Sequence, residues 1–308
     1  MSTPLDILTS DLLRYPLLIA VLIGLTAPVV GTYLVQKRLS LLGDGLGHVA
    51  LTGVAAGWLV GAWLSVTPMD LLAIPGALAA SVIGALLIEY VREVSHTSRD
   101  VALAILFYGG IAGGVVIIQL AGGTSQNLMA YLFGSLSTVT GPDAAISTVL
   151  AVVVLLIGVG LSGLLAAVTA DEEFARASGL PVRTVNVLIA VMAALTVTLS
   201  MRIVGALMVS ALMIVPVAAA QHLVVGFART MRTAMAIAVV CALGGLLLTV
   251  YVDLPPGGVI VLMTIGVYVL GLLVRALRPA RPVPAVGGPG PGRTPAPAAG
   301  TRATPHDG

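Results

Sequence analysis

The chain has 308 residues, of which 58% are hydrophobic and 9% charged, with a formal net charge of +2 and a mean hydropathy of +1.09. A soluble domain carries roughly 25% charged residues, so water cannot be the main solvent of this surface and a bilayer must cover most of it. A single cysteine, Cys241, inside an apolar run excludes a disulfide-stapled module, and so small a net charge gives no argument for nucleic acid.

In chain order, residues 1–14 read as an extracytoplasmic or interfacial segment. They carry Asp6 and Asp11 where a cleavable signal needs positive charge, so the first span is expected to stay. Apolar stretches long enough to cross ~30 Å of hydrocarbon, roughly 17 to 25 residues each, follow at about 15–36, 46–64, 71–91, 101–120, 144–168, 184–201, 203–225, 233–252 and 257–274. They predict an all-α, polytopic integral membrane bundle of nine helices over residues 15–275. A lone strand cannot satisfy its backbone in lipid, and no stretch alternates as a barrel strand does. Met201, Arg202 and Ile203 leave almost no loop between the sixth and seventh spans, so eight spans is the alternative count, although merging these two alone would carry the C-terminal arginines to the outside. Residues 276–308 are Pro/Gly/Ala-rich and are expected to form a disordered tail.

With the spans laid on alternating sides, Lys37, Arg38, Arg92, Arg99, Arg176, Arg183, Arg229, Arg232, Arg275, Arg278, Arg281, Arg293 and Arg302 fall on one face, and only Arg14 and Arg202 on the other. The basic face is therefore expected to be cytoplasmic, with the N-terminus outside and the C-terminus and its tail inside.

Three features carry chemistry. The second span opens on Gly43-Asp44-Gly45-Leu46-Gly47-His48. On a helix Asp44 and His48 share a face one turn apart, and an ionisable group at bilayer depth is costly enough to mark a pathway or a partner. Carboxylate oxygen and imidazole nitrogen suit zinc or manganese. Two readings stay open: a metal-contacting pair, or a helix-capping Asp44 beside a His48 satisfied by a backbone carbonyl. His222, after Pro216 in the seventh span, joins such a site only if the helices converge; His96 and His306 read as solvated or inert. Secondly, Gly53, Gly57 and Gly61, and Gly109/Gly113 with Gly110/Gly114, recur at four-residue spacing, which allows close helix approach within one subunit or across a dimer.

Thirdly, Asp171-Glu172-Glu173-Phe174-Ala175-Arg176-Ala177-Ser178-Gly179 between the fifth and sixth spans reads as a short cytoplasmic helix, capped by Asp171 and stopped by Gly179. One or two turns are unstable in water unless docked, and Phe174 with Ala175 offers an apolar contact, so a protein partner is expected. The only lysine, Lys37, lies in no Gly-Lys-Ser/Thr setting, so a P-loop is absent and ATP-derived energy must come from another subunit. Nor is there a nucleophile, base and orienter at recognisable spacing, which leaves an intramembrane hydrolase unsupported.

Taken in order, Arg38-Leu39-Ser40-Leu41-Leu42-Gly43-Asp44 with His48 and Gly53, Leu128-Met129-Ala130-Tyr131-Leu132-Phe133-Gly134-Ser135, the stretch 171–179, Val204-Gly205-Ala206-Leu207 leading to Pro216, and Pro255-Pro256-Gly257 resemble the zinc/manganese, sometimes iron, ABC-transporter permease family over residues 15–275. This is the membrane subunit of bacterial high-affinity divalent-metal importers. The resemblance implies a fold like that of cobalamin/siderophore-type importer permeases, in a homodimer in the bacterial cytoplasmic membrane with the path at the dimer interface. It implies a separate cytoplasmic ATPase, an extracytoplasmic metal-binding protein, no catalysis by this chain, and no permanently bound cofactor, zinc, manganese or iron being cargo. On that likeness Asp44 and His48 are transient metal contacts, with His222 a weaker candidate. Asp171, Glu172, Phe174, Ala175 and Gly179 belong to the helix that docks on the ATPase, and residues 127–135, with Tyr131, Phe133 and Gly134, form part of the outer mouth. The chain departs from the family where Gly109 and Gly110 replace a histidine of some relatives, and where Gln221 and His222 replace residues that are often basic. The rival expectations are a siderophore or cobalamin permease and a gradient-driven secondary transporter.

Overall fold

The computed structural model describes residues 11–67, 69–94, 99–122, 125–135, 139–252 and 254–277. The segment 1–10, the loop holding His96, and the tail from 278 onward, including His306, lie outside the described residues. Among the described residues the regular elements are helical: α1 (Asp11–Gln36), α2 (Leu42–Trp63), α3 (Ala73–Val94), α4 (Arg99–Leu120), α5 (Ser125–Phe133), α6 (Gly141–Gly160), α7 (Ser162–Ala170), α8 (Glu172–Ala177), α9 (Val182–Ser200), α10 (Val209–Leu223), α11 (Phe227–Tyr251) and α12 (Pro256–Leu277), with a 3-10 turn at Met69–Leu72.

Eight of these helices are long and apolar enough to cross a membrane, and the shorter α10 stands in the seventh place. The predicted fifth span is divided between α6 and α7, which meet at Leu161. The seventh span departs from expectation. Residues 201–208, apolar apart from Arg202 and buried through Ala206, are not helical, and the helix begins only at Val209. Gly205 takes φ +86, which ends helical geometry there. The freed backbone groups bond to the end of α5: Ala206 N–H donates to Tyr131 O at 2.9 Å, Leu207 N–H to Leu132 O at 3.2 Å, and Ser135 N–H to Arg202 O at 3.0 Å. Irregular backbone at membrane depth needs such internal partners.

Burial ranks the helices into layers. The most apolar stretches of α1 and α9 are each 72% buried and that of α2 is 67% buried, against 22% for α4 and 28% for α3. So α1, α2 and α9 form the protein-enclosed centre, while α3 and α4 keep broad faces for lipid or another chain. Two prolines, Pro16 and Pro28, lie inside α1. Thr32 Oγ1 donates to Pro28 O at 2.7 Å, which keeps a polar hydroxyl satisfied in the buried helix.

Without a hydrophobic driving force between helices in lipid, close packing holds them together, and small residues permit it. A Cβ added at Gly53 would lie 2.3 Å from Gly76 O, and one at Gly57 2.2 Å from Leu72 O. The glycine stripe of α2 thus meets α3 and the turn before it inside one chain; of the two sequence readings, internal packing describes Gly53 and Gly57. Gly110, Gly113 and Gly114 of α4 likewise face α2, whereas Gly109 faces open space.

Candidate metal-passage site

The site is built by the glycine-rich start of α2. The helix begins at Leu42, earlier than hydropathy alone placed it, so Asp44 sits inside the first turn and Leu41 holds the N-cap position without any side-chain cap bond. Asp44 therefore does not act as a cap. On one side, Gly43 and Gly47 let the start of α10 and its lead-in come close: a Cβ at Gly43 would lie 3.1 Å from the sulfur of Met213, and one at Gly47 2.7 Å from Ala206 O. On the other, Gly45 faces Leu103 and Leu106 of α4. Asp44 and His48 stand between these two neighbours.

Asp44 is half-buried, and its Oδ1 accepts a 3.0 Å hydrogen bond from the Ser210 hydroxyl at the start of α10. It lines an open cavity of about 260 Å³ with Leu41, Leu103, Ala104, Phe107 and Tyr108. One turn on, His48 is 5% exposed and its Nδ1 has no hydrogen-bond partner. The ring is held edge-on against Phe107, with centroids 4.4 Å apart. Gly110 presses on it from α4, because a Cβ there would come within 2.9 Å of His48 Cβ. Thr52 Oγ1 closes the joint by donating to Gly110 O at 2.6 Å. A buried imidazole nitrogen normally has a partner; one left open a helical turn from a carboxylate is a donor set with capacity for a borderline cation. Among the described residues no group of three or more His, Cys, Asp or Glu assembles. Asp44 and His48 by themselves supply two such donor side chains.

His222 is not brought to this pair. It lies twelve residues beyond Ser210 on α10, about 18 Å at 1.5 Å per residue. There its Nδ1 is 3.2 Å from Arg275 Nη1, and its ring stands 5.3 Å from Tyr268 of α12.

At the Arg202 end of the bundle, Tyr131 and Gly134 are buried and not free for docking. Tyr131 is 6% exposed, stacks edge-on to Trp58 at 5.4 Å, and carries the Arg202 guanidinium over its ring at 5.4 Å. Arg202 also pairs with Asp143 at 3.6 Å. Gly134 has φ +80, and a Cβ there would meet Ile203 O at 1.9 Å; Gly257 approaches Val204 O equally closely from α12. The end of α5 thus forms an internal clasp around 201–208. Among the described side chains of α5, that of Met129 is exposed.

At the opposite end, α8 forms as its caps dictate. Asp171 Oδ1 accepts from Phe174 N–H at 2.9 Å, Ala175 is buried, and Gly179 takes φ +76 after the last turn. Phe174 is 71% exposed, projecting from the bundle.

The sequence profile of the ABC 3 transport family matches residues 9–275. The chain belongs to that family. Among ABC 3 relatives, a manganese transport system membrane protein of Halalkalibacterium halodurans is 30% identical, over 86% of this chain and 88% of its own length. A high-affinity zinc uptake system membrane protein of Haemophilus influenzae is 28% identical, over 86% of this chain and 98% of its own length. Among solved structures, PsaBC from Streptococcus pneumoniae in complex with Fab superposes with a TM-score of 0.76 at 25% identity, covering 87% of this chain and 94% of that one. An inward-facing metal-chelate type ABC transporter, with a TM-score of 0.60 at 15% identity, shares the fold alone.

Sequence reasoning about this ABC 3 chain missed Ser210, Phe107 and Gly110, which complete the surroundings of Asp44 and His48. Only Gly110 left a trace, as part of a glycine repeat. It also missed the polar partners of Glu172 beyond its own helix, which come from α3, α9 and the turn after α1.

Proposed function

We propose that this chain is the membrane-spanning permease subunit of a bacterial ATP-driven importer of divalent metal ions, with zinc, manganese or iron as cargo. One observation carries the reading: in a chain of the ABC 3 family, an unpartnered buried His48 nitrogen stands one helical turn from Asp44, which opens on a cavity. Asp44 and His48 contact the ion in transit. A two-ligand set suits passage because conduction needs a site that releases, whereas a closed four-ligand shell would hold zinc.

The remaining parts follow from chemistry and placement. A cytoplasmic ATPase takes Phe174 into an apolar groove and supplies the energy, so this chain hydrolyses nothing itself. An extracytoplasmic metal-binding protein delivers the ion at the Arg202 end. The exposed side of the Asp44 cavity, with Leu41 and Tyr108 at 66% and 68% exposure, supports closure of the path by a second copy. The basic loops support an orientation with α8 and the C-terminus in the cytoplasm and the N-terminus outside, in the bacterial cytoplasmic membrane.

The test is complementation of a strain lacking this chain in metal-depleted medium, with uptake of radiolabelled zinc and manganese measured. Wild type restores uptake; Asp44→Ala and His48→Ala each lower it at least about tenfold, the ratio equivalent to ~1.4 kcal/mol, while membrane abundance is unchanged. Wild-type uptake in both variants would reduce the pair to structural residues.

A further inference from the structure

Among the described residues, the side chains of Lys37, Arg92, Arg176 and Asn186 hold Glu172, the first residue of α8. Lys37 Nζ lies 3.7 Å from its Oε2, and Arg92 Nη2 and Arg176 Nη2 lie 3.5 and 3.6 Å from its Oε1. Asn186 Nδ2 donates to Oε1 at 3.1 Å, and Asn186 Oδ1 accepts in turn from Lys37 Nζ. Arg92 also pairs with Glu89 at 3.2 Å. The side chains of Lys37, Arg92 and Glu89 are only 6%, 14% and 8% exposed, whereas Arg176 is 74% exposed.

The positions of these partners matter more than their number. Lys37 follows the last residue of α1 and starts the turn that leads into α2, seven residues before Asp44. Arg92 closes α3 and, with Glu89, lines one small cleft with Leu39 and Leu42, the residues on which that turn folds into α2. Asn186 sits in the second turn of α9. One carboxylate on a six-residue surface helix thus grips the ends of three helices through largely buried charges. Exposed ion pairs are weak and compliant; shielded, multiply bonded ones are stiff and geometrically specific.

We infer that Glu172 is a positioning residue for energy coupling: through Lys37 and Arg92 it ties displacement of α8 to the start of α2, and so to the Asp44–His48 pair. The inference rests on the proposed function, since it requires an ATPase acting on α8. Phe174 and Glu172 then divide the work. The exposed ring faces the partner, and the inward carboxylate carries the motion into the bundle.

The experiment reconstitutes the complete transporter, with its ATPase and binding protein, in vesicles and measures ATP hydrolysed and radiolabelled metal accumulated in the same sample. Glu172→Gln keeps an oxygen for Asn186 but removes the charge. It is expected to leave ATP hydrolysis within about twofold of wild type and to lower ions moved per ATP about tenfold. Glu172→Asp, which keeps the charge at shorter reach, recovers part of that ratio, and Arg176→Ala, on the exposed rim, leaves it unchanged. Lys37→Gln reads the same link from its other end and serves if Glu172→Gln does not assemble. An unchanged ratio in Glu172→Gln or Lys37→Gln overturns the inference while wild-type, ATP-dependent uptake stands. A parallel fall in hydrolysis and transport with loss of the ATPase also overturns it, since that is a docking defect. Absence of ATP-dependent uptake in the wild type instead removes the proposed function, and the inference with it.

Discussion

Gly110 decides how closely α4 can approach His48. It has no side chain, and a Cβ would stand 2.8 Å from the His48 carbonyl carbon. Gly110→Val is therefore expected to push α4 off α2 and release the ring from Phe107. We expect it to abolish metal uptake and to lower thermal stability in detergent by about 1–3 kcal/mol, the range for overpacking; uptake and melting measured on the same preparation check this. Gly109→Ala, next to it but facing open space, is the matched control and should change neither. The i, i+4 spacing by itself puts Asp44 and His48 on one face, because helical geometry is local. Ser210 is invisible to such reasoning, since its distance to Asp44 depends on where α10 begins.

At the scale of elements, the segment 201–208 is the least expected part of the fold. Hydropathy registers apolarity and not helicity, so a buried non-helical stretch reads as span. Its markers are nevertheless visible: Phe133-Gly134, Gly205 and Pro256-Gly257 stand out in the sequence without a common cause. The structure gives one, since Gly134 and Gly257 lie against the turn of backbone to which Gly205 belongs. Arg202 pins that turn to Asp143 with both side chains under a tenth exposed. Removing one partner of a buried pair costs about 3–5 kcal/mol, so Arg202→Leu should lower the detergent melting temperature sharply. A melting temperature equal to wild type would show that the pair does not hold the segment. The short helix α8 behaves in the opposite way. Phe174→Ala, at 71% exposure, should alter stability by no more than ~0.5 kcal/mol yet weaken co-purification of the ATPase. Undiminished co-purification would place the docking contact elsewhere.

For the whole molecule, the bundle, the order of its spans and the protruding α8 are legible from composition, hydropathy and cap residues, because each is set by lipid solvation or local backbone chemistry. The layering is not. Nothing in the hydropathy of α1 or α9 separates them from α4, yet the first two are mostly enclosed by protein and the last is not. The grip of Glu172 on Lys37, Arg92 and Asn186 is hidden for a similar reason, as it joins residues up to 149 positions apart through charges that look like ordinary loop residues. In the proposed cycle a free divalent cation crosses by way of Asp44 and His48 at the expense of ATP hydrolysed on another subunit. Vesicles holding the complete transporter, loaded with ATP on the ATPase side and offered radiolabelled zinc or manganese with its binding protein, test this most directly. Accumulation is expected to need ATP, to survive collapse of the proton gradient, and to be lost in Asp44→Ala. Uptake without ATP, or of a metal chelate but not of the free ion, would contradict it.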